Sequence, residues 1–277
     1  MAINLLGRNE VMELLGLDDT RPRKSLGQNF VVDPNTIRRI VRLAGVAEGD
    51  RVIEVGPGLG SLTLGLIEAG AHVTCIEKDP SMVELLRRTL DDRGVVSGVS
   101  VVEGDALQIS FAELTSRGTS WSLVANLPYN VATQIVLKVL ETAPTVSRML
   151  VMVQREVAER MAAEPGSGAY GIPSVLIGLV ASARIVGHVG PDVFVPRPRV
   201  TSALVELQRD GERPRPLDRS RFVGLVKQGF GQRRKMLRRS LDLDTTVFEA
   251  AGIAADSRPE QLSVADWIRL SDTAGVP

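Results

Sequence analysis

Cysteine and histidine are almost missing from this 277-residue chain, which contains one Cys and two His. Cys75 has no partner for an internal disulfide. Together with His72 and His188 it offers too few soft ligands for a zinc site. The composition therefore predicts a protein without an internal disulfide and without a bound metal.

Long apolar runs are missing as well. No stretch approaches the roughly 20 apolar residues that a membrane-spanning helix needs. The stretch over residues 1–17 is interrupted by Arg8, Glu10 and Glu13, unlike a secretory signal peptide. We therefore expect no membrane segment and a cytoplasmic location.

A net charge is also absent, because 33 Lys and Arg balance 33 Asp and Glu. The charges are unevenly placed, however, since residues 213–239 contain ten basic residues and one acid, Asp218. Five of these cations lie within residues 233–239, on a predicted helix. Such a cluster suits phosphate contacts with folded RNA, and a solvated helix face is the alternative. The predicted RNA-binding residues are Arg233, Arg234, Lys235 and Arg238.

Short apolar strands alternate with helices along much of the chain. The strand patterns fall at residues 51–55, 72–76, 100–102, 122–125 and 148–153. This alternation predicts an α/β fold with a mostly parallel sheet that is covered on both faces. Two further strands, around residues 183–189 and 202–208, are expected to form an antiparallel pair that closes the sheet.

The chain is predicted to form two domains. A stretch rich in Pro, Arg and Asp at residues 209–219 has the composition of a linker, and residues 222–270 have a helical pattern. We expect one domain over residues 1–208, with an N-terminal extension over residues 1–20. A small all-helical domain is expected over residues 209–277.

The four residues Asn126-Leu127-Pro128-Tyr129 follow a predicted strand at the point where the chain should turn. This corner suits methyl transfer to a planar amino nitrogen, such as the amine of adenine, whose lone pair is delocalised into the ring. The Asn126 side-chain oxygen and the Leu127 carbonyl can accept hydrogen bonds from that amine. Pro128 would hold the turn and the Tyr129 ring would stack on the base. An ordinary Asn-Pro turn with a packed Tyr is the alternative.

Three glycines, Gly56, Gly58 and Gly60, stand in the turn after the first strand of the series. Glycines at this place let a backbone approach a ligand closely. A dinucleotide fingerprint would have Gly or Ala at the position of Ser61. The spacing therefore favours an adenosyl cofactor over NAD.

Two acids follow the next two strands of the series. Glu77, at the end of one strand, is placed to accept hydrogen bonds from both hydroxyls of a ribose. Asp105, after the next strand, is placed to receive the adenine amine of the same cofactor. Either acid alone could be a solvated loop charge, but open α/β sheets bind ligands at the carboxyl ends of their strands.

These motifs resemble the ribosomal RNA adenine N6-dimethyltransferases that use S-adenosylmethionine, and within that family the bacterial enzymes of the small (16S) subunit. The resemblance covers residues 24–263. The motifs that carry it are Gly27-Gln-Asn-Phe30, Glu54 to Gly60, Gly104-Asp-Ala106, Asn126 to Tyr129, Gln154-Arg-Glu-Val157, Tyr170-Gly171, Phe194-Val-Pro-Arg-Pro198, Arg233-Arg-Lys235 with Leu237-Arg238, and Glu260-Gln-Leu-Ser263.

The resemblance implies a Rossmann-like class I methyltransferase sheet, mostly parallel with one antiparallel strand, and a helical C-terminal domain that contacts RNA. It implies S-adenosylmethionine as cofactor and 16S ribosomal RNA, within an immature small subunit, as partner. Separately, we expect the protein to be a monomer. By similarity, the cofactor is held by Asn29, Val31, Gly56, Glu77, Asp105 and Asn126. Of these, Gly56 would lie against its methionine part, and Asn126 would stand between cofactor and target base.

Tyr129 and Phe194 are predicted to form the two faces of a stacking clamp on the target base. The chain has only two Trp, two Tyr and six Phe, and both of these rings lie in loops that contain proline. For Phe194 the alternative is a plug beneath the loop of Pro196 and Pro198. Trp267, by contrast, is expected in the core.

Three other functions share parts of this pattern. A macrolide-resistance methyltransferase of large-subunit RNA has the same cofactor site and catalytic corner, although the basic segment and the Phe194 motif favour the small-subunit enzyme. A ribosome-assembly factor with secondary catalysis is the second alternative. The third is a glutamine or DNA-adenine methyltransferase with an Asn-Pro-Pro-Tyr corner, against which Leu127 argues.

Overall fold

The computed structural model describes residues 3–17, 28–116, 120–211 and 213–275. Its contacts divide the chain into two compact units. The first consists of Met1–Ala158 and Arg184–Gln208, and the second of Glu159–Ala183 and Arg209–Pro277. The chain therefore passes from one unit to the other three times. Gly27 lies outside the described residues, so only residues 28–30 of the motif Gly27-Gln-Asn-Phe30 are described.

Helices and strands alternate through most of the described chain. In order they are α1 (Arg8–Leu17), β1 (Phe30–Val31), α2 (Pro34–Ala44), β2 (Arg51–Val55), α3 (Ser61–Glu68), β3 (His72–Glu77), α4 (Pro80–Asp92), β4 (Val99–Glu103), α5 (Phe111–Leu114), β5 (Trp121–Asn126), α6 (Ala132–Thr142), β6 (Val146–Gln154), α7 (Arg155–Met161), α8 (Ile172–Gly178), β7 (Ser182–Val189), β8 (Phe194–Val195), β9 (Ser202–Gln208), α9 (Arg219–Gly231), α10 (Leu237–Ser240), α11 (Thr245–Ala250) and α12 (Val264–Thr273).

Seven strands form one sheet in the order β4-β3-β2-β5-β6-β9-β7. The strands from β4 to β6 are parallel to their neighbours, and β9 is antiparallel to β6. This arrangement confirms the predicted Rossmann-like, mostly parallel sheet. The chain runs outward from β2 to β4 on one side and from β5 to β6 on the other. The carboxyl ends of β2 and β5 therefore flank the point where the strand order reverses, which is where such sheets bind ligands.

Local sequence signals account for the position of α2. Asp33 caps its start, and its carboxylate accepts hydrogen bonds from the backbone N–H groups of Asn35 at 3.3 Å and Thr36 at 2.9 Å. Pro34 occupies the first turn, where its missing N–H costs nothing. Gly45 ends the helix in the left-handed conformation, with φ of 62°. The helix thus begins directly after the Asp33 cap.

The described part of the N-terminal extension, residues 3–17, includes α1 and belongs to the first unit. Leu6 and Val11 are buried in its main core. Arg93, at the end of α4, forms an ion pair with Glu10 and donates a hydrogen bond to the Asn4 carbonyl oxygen at 2.8 Å. Within the described residues, none of the helices is long and apolar enough to cross a membrane.

The second unit is helical and has its own core. Its largest buried side chains include Phe222, Phe248 and Trp267, and Trp267 is fully buried, which confirms the prediction for this residue. The Phe230 and Trp267 rings lie 5.9 Å apart between centroids. This core packs helices α9, α11 and α12 together.

The chain crosses between the units at residues 158/159, 183/184 and 208/209, and the predicted division gives only the last of these crossings. Glu159–Ala183 belongs to the second unit, although it precedes two strands of the sheet. Tyr170, Val175 and Leu179 of this segment are buried in the same cluster as Trp267. Their burial places the segment with the helical unit, and sequence order alone could not show it.

Two glycines of α9 allow a test of this core. An added Cβ at Gly229 would lie 2.6 Å from the Trp267 ring, whereas at Gly224 it would meet nothing within 4 Å. We expect Gly229→Ala to lower the free energy of unfolding by about 1–3 kcal/mol through overpacking. Gly224→Ala should raise it by up to about 1 kcal/mol, because Ala favours the helix. Urea unfolding followed by circular dichroism measures both, and equal stability of the two variants would contradict the packing described.

Candidate functional site

A cleft lies in the first unit at the carboxyl ends of β2, β3 and β5. Its lining comes from the segments around β1, the glycine turn after β2, the end of β3, the loop after β4 and the turn after β5. The predicted residues Asn29, Val31, Gly56, Glu77, Asp105 and Asn126 all contribute to it. Strand ends that are far apart in sequence therefore form one concave surface.

The turn after β2 requires its glycines. Gly56 and Gly58 have φ of 70° and 54°, in the left-handed region that side chains disfavour. An added Cβ at Gly58 would also lie 2.7 Å from the Phe30 ring. The Gly56 N–H donates to the Ile76 carbonyl oxygen at 2.9 Å, which ties the turn to β3. The backbone of this turn is thus exposed to the cleft without side chains in the way.

Glu77, the last residue of β3, holds a fixed orientation. Its Oε1 accepts hydrogen bonds from the N–H groups of Lys78 at 2.9 Å and Asp79 at 3.0 Å. Its Oε2 accepts one from the Gly58 N–H at 3.2 Å. Burial raises the pKa of Glu77, while these backbone hydrogen bonds oppose the rise. The carboxylate therefore joins the end of β3 to the glycine turn.

Asp105 is paired with a lysine that the sequence reasoning did not single out. Its Oδ2 accepts a hydrogen bond from Lys78 Nζ at 2.8 Å, and its Oδ1 accepts one from the Leu107 N–H at 2.9 Å. The bond from Lys78 is the main reason why the pKa of Asp105 lies below its usual value. The only sequence signal for Lys78 is its place directly after Glu77.

Asn126 is the last residue of β5. One end of its side-chain amide makes a hydrogen bond and the other end makes none within the described residues. Its Nδ2 donates to the backbone oxygen of Asn29 at 2.9 Å. Its Oδ1 is buried and accepts no hydrogen bond from any described residue. A buried acceptor without a donor is costly, so this oxygen indicates a place for the donor of a ligand. Asn29 thus enters the site through its backbone.

Leu127 and Pro128 form the turn that follows. The Leu127 N–H donates to the Met152 carbonyl oxygen at 3.1 Å, and its side chain is buried. Pro128 lies beside the glycine turn, since a Cβ at Gly56 would be 3.5 Å from its Cδ. The predicted corner and the glycine turn therefore face each other in the cleft.

Tyr129 lines the cleft, and its hydroxyl is 2.7 Å from Ser202 Oγ on β9. Burial raises the pKa of the Tyr129 hydroxyl above its usual value. The ring is half-buried, so one part of it is open to a partner. Sequence reasoning missed Ser202, because the contact joins residues 73 positions apart.

Phe194 does not lie in the cleft, in contrast to its predicted place in a stacking clamp. Its side chain is 1% exposed and belongs to the main core cluster, with Phe30 and Val31. The pairing of β8 with β1, which sets Phe194 opposite Val31, holds it there. The structure matches the alternative of a plug, and of the two proposed rings only Tyr129 lines the cleft.

Glu54, inside β2, also reaches the cleft. It is 1% exposed, and its Oε2 accepts a hydrogen bond from Thr63 Oγ1 at 2.6 Å. Burial raises the pKa of Glu54 to about 8. Its carboxyl group therefore keeps its proton at neutral pH while no cation lies beside it.

The predicted basic helix of the second unit is a turn and a short helix. Helix α9 ends at Gly231, and Arg233, Arg234 and Lys235 lie in the turn before α10. The N–H groups of Leu237 and Arg238 donate to carbonyl oxygens of residues 257 and 255, at 2.8 and 3.0 Å. These N–H groups are therefore not available to continue α9.

The four predicted RNA-binding residues differ in their surroundings. Arg233 donates to the Ser167 carbonyl oxygen at 3.2 Å and lies 3.7 Å from the Glu260 carboxylate. Arg234, Lys235 and Arg238 are exposed. Arg233 thus has a structural role inside the unit, whereas the other three present their charges to solvent.

Among the described residues, no group of three or more His, Cys, Asp or Glu is placed to hold a metal ion.

Comparison with known proteins agrees with this geometry. Residues 20–274 match the family described as "Ribosomal RNA adenine dimethylase". A relative from Nocardia farcinica (strain IFM 10152), "Ribosomal RNA small subunit methyltransferase A", is 46% identical over 283 residues, covering 98% of this chain and 96% of that protein.

Two solved structures are similar in fold. The crystal structure of 23S rRNA methyltransferase ErmE is 25% identical, with a TM-score of 0.67, and the match covers 88% of this chain and 99% of that one. A dimethyladenosine transferase from Plasmodium falciparum is 22% identical, with a TM-score of 0.73, and the match covers 87% and 95%. The second likeness supports the fold alone.

The raised pKa of Glu54 predicts a pH-dependent stability. Between the ordinary value of 4.5 and about 8, the folded protein keeps a proton that the unfolded chain has lost. The free energy of unfolding should therefore fall as pH rises through this window, by on the order of 5 kcal/mol. Glu54→Gln should remove this fall, and the exposed Glu84→Gln should keep it. Urea unfolding at pH 5, 7 and 9 checks this, and parallel profiles for wild type and Glu54→Gln would contradict it.

Proposed function

Because the chain belongs to the ribosomal RNA adenine dimethylase family, we propose that it dimethylates the N6 amine of adenines near the 3′ end of 16S ribosomal RNA, with S-adenosylmethionine as methyl donor. The observation that carries this proposal is the unpaired, buried Oδ1 of Asn126 in a cleft that also contains Glu77 and Asp105. The 46% identity to a small-subunit methyltransferase, which extends over 98% of this chain, supports 16S RNA as the substrate.

The residues of the cleft fit the cofactor. The glycine turn leaves room for its methionine part at Gly56, and Glu77 is held with a carboxylate that can accept both ribose hydroxyls. Asp105 is ionised beside Lys78 and can accept a hydrogen bond from the adenine amine. Val31 adds apolar lining. S-adenosylmethionine supplies an electrophilic methyl group on a sulfonium, and the chain supplies the site that orients it.

The turn after β5 would prepare the amine of the target base. Asn126 Oδ1 and the Leu127 carbonyl accept hydrogen bonds from the two N–H groups, which draws the nitrogen lone pair out of conjugation with the ring. Pro128 restricts the turn, and the Tyr129 ring stacks on the base once it has left its helix. Most of the rate enhancement then comes from positioning. No side chain is needed as a base, because the nitrogen becomes a cationic methylated amine that releases its proton to water.

The second unit would supply the RNA contacts. Arg234, Lys235 and Arg238 are exposed cations within a few residues of one another, which suits contacts to phosphates. We assign Arg233 a mainly structural part there, because of its bonds to Ser167 and Glu260. The expected partner is the 16S RNA of an immature small subunit, bound by a monomer in the cytoplasm.

The test is incubation with labelled S-adenosylmethionine and either immature small subunits or large-subunit RNA, followed by nucleoside mass spectrometry. The proposal expects N6,N6-dimethyladenosine only in small-subunit RNA. Likeness to the 23S rRNA methyltransferase ErmE favours large-subunit RNA as the second candidate. Label confined to that RNA would contradict the proposal, and tight binding of small subunits without transfer would identify an assembly factor.

Asn126→Ala should abolish transfer while cofactor binding persists. Loss of the acceptor that orients the amine should lower single-turnover methylation by at least about 100-fold. The dissociation constant for S-adenosylmethionine, measured by calorimetry, should change only a few-fold. Asn35→Ala, an exposed amide on α2, is the control. Turnover of Asn126→Ala close to that of wild type would remove this residue from the mechanism.

Charge reversal should separate RNA binding from cofactor binding. The double variant Arg234→Glu/Arg238→Glu should raise the RNA KM by about tenfold or more and flatten its dependence on salt, since phosphate contacts release counterions. Affinity for S-adenosylmethionine should not change. The matched control is Arg87→Glu/Arg88→Glu, two exposed cations on α4. An RNA KM that is insensitive to salt in the wild type would contradict this surface.

A further inference from the structure

The hydroxyl of Tyr129 and the hydroxyl of Ser202 form a hydrogen bond of 2.7 Å. Ser202 is fully buried at the first position of β9, so its hydroxyl has no access to solvent. A buried hydroxyl without a partner is costly, and Tyr129 supplies that partner. The bond therefore stabilises one orientation of the tyrosine side chain.

The strand pairings show which parts of the structure this hydrogen bond connects. Asn126 of β5 pairs with Met152 of β6, and Gln154 at the end of β6 pairs with Ser202 of β9. The tyrosine follows β5 by three residues, so its side chain reaches past the end of β6 to β9. The bond thus links the turn that contains the reactive corner to the antiparallel strand of the sheet.

Phe30 and Tyr129 both line the cleft. Phe30 is buried, whereas the half-buried Tyr129 ring offers a face on which the target base can stack. Phe194, the other ring expected there, is buried in the core. A half-buried ring that is held only at its backbone can adopt several rotamers, and each reduces the population that is ready to stack. A second attachment at the hydroxyl selects one of them.

We propose that Ser202 is a positioning residue of the methyl transfer: its hydroxyl holds the Tyr129 ring in the orientation that stacks on the target adenine. This inference rests on the proposed function and deepens it. Ser202 does not touch substrate or cofactor. It acts through the tyrosine, and its contribution is confined to the RNA side of the reaction.

The test is a double-mutant cycle with Ser202→Ala, Tyr129→Phe and the combined variant. Each single change removes one half of the hydrogen bond and keeps the ring. We expect each to lower single-turnover methylation of immature small subunits by about five- to tenfold, and the combined variant to be no slower than either. The dissociation constant for S-adenosylmethionine should stay within about twofold of wild type. Thr201→Ala, which removes the adjacent hydroxyl, is the control.

Three results would overturn the proposal. One is a Ser202→Ala protein as fast as wild type, and another is a combined variant whose loss is the product of the two single losses. The third is an equal loss in cofactor affinity, which a merely structural role would produce. If the Ser202→Ala variant does not fold, Tyr129→Phe alone tests the proposal, because the proposal requires the same loss of activity from that variant. An inactive wild type would instead refute the proposed function, so the two failures are distinguishable.

Discussion

The side-chain amide of Asn126 has its two ends in different situations. The nitrogen donates to the backbone of Asn29, and the oxygen is buried without a donor. An unpaired buried acceptor of this kind costs about 1–3 kcal/mol. The bond to Asn29 prevents the amide from rotating to relieve that cost, because rotation would break it. The oxygen is thereby kept as an acceptor for a group that arrives from outside, and the aromatic amine of a target base has the required N–H.

The sheet makes this arrangement possible. Glu77 ends β3, Asp105 follows β4 and Asn126 ends β5, and parallel strands bring these carboxyl ends to one edge. The reversal of strand order between β2 and β5 opens a crevice there. The glycine turn after β2 then gives a ligand access to backbone, and the N–H of Gly58 helps to hold the Glu77 carboxylate. The positions of the proposed cofactor residues and of the proposed catalytic corner therefore follow from one topology.

Short-range sequence signals predicted those parts of the structure that depend on neighbouring residues. Strand β2 has the predicted bounds, because its apolar run is flanked by polar and glycine residues. Helix α2 likewise starts at a local signal, the Asp33 cap followed by Pro34. The acids after the strands also reach the cleft. Contacts between residues that are far apart in the chain could not be predicted from the sequence. Pairing of β8 with β1 buries Phe194, and hydrogen bonds from Leu237 and Arg238 to a distant loop turn the expected basic helix into a turn. For the same reason the sequence did not reveal the contacts of Lys78 and Ser202, whose partners are remote in the chain.

In the proposed mechanism, Asn126 Oδ1 and the Leu127 carbonyl together receive the amine of the target adenine. A crystal structure of the protein with S-adenosylhomocysteine and adenosine tests it most directly. We expect the adenine N6 within hydrogen-bond distance of both oxygens, with the base stacked on Tyr129 and the ribose of the cofactor product at Glu77. An adenine amine bound to other acceptors, or an Asn126 side chain turned away from the base, would contradict it.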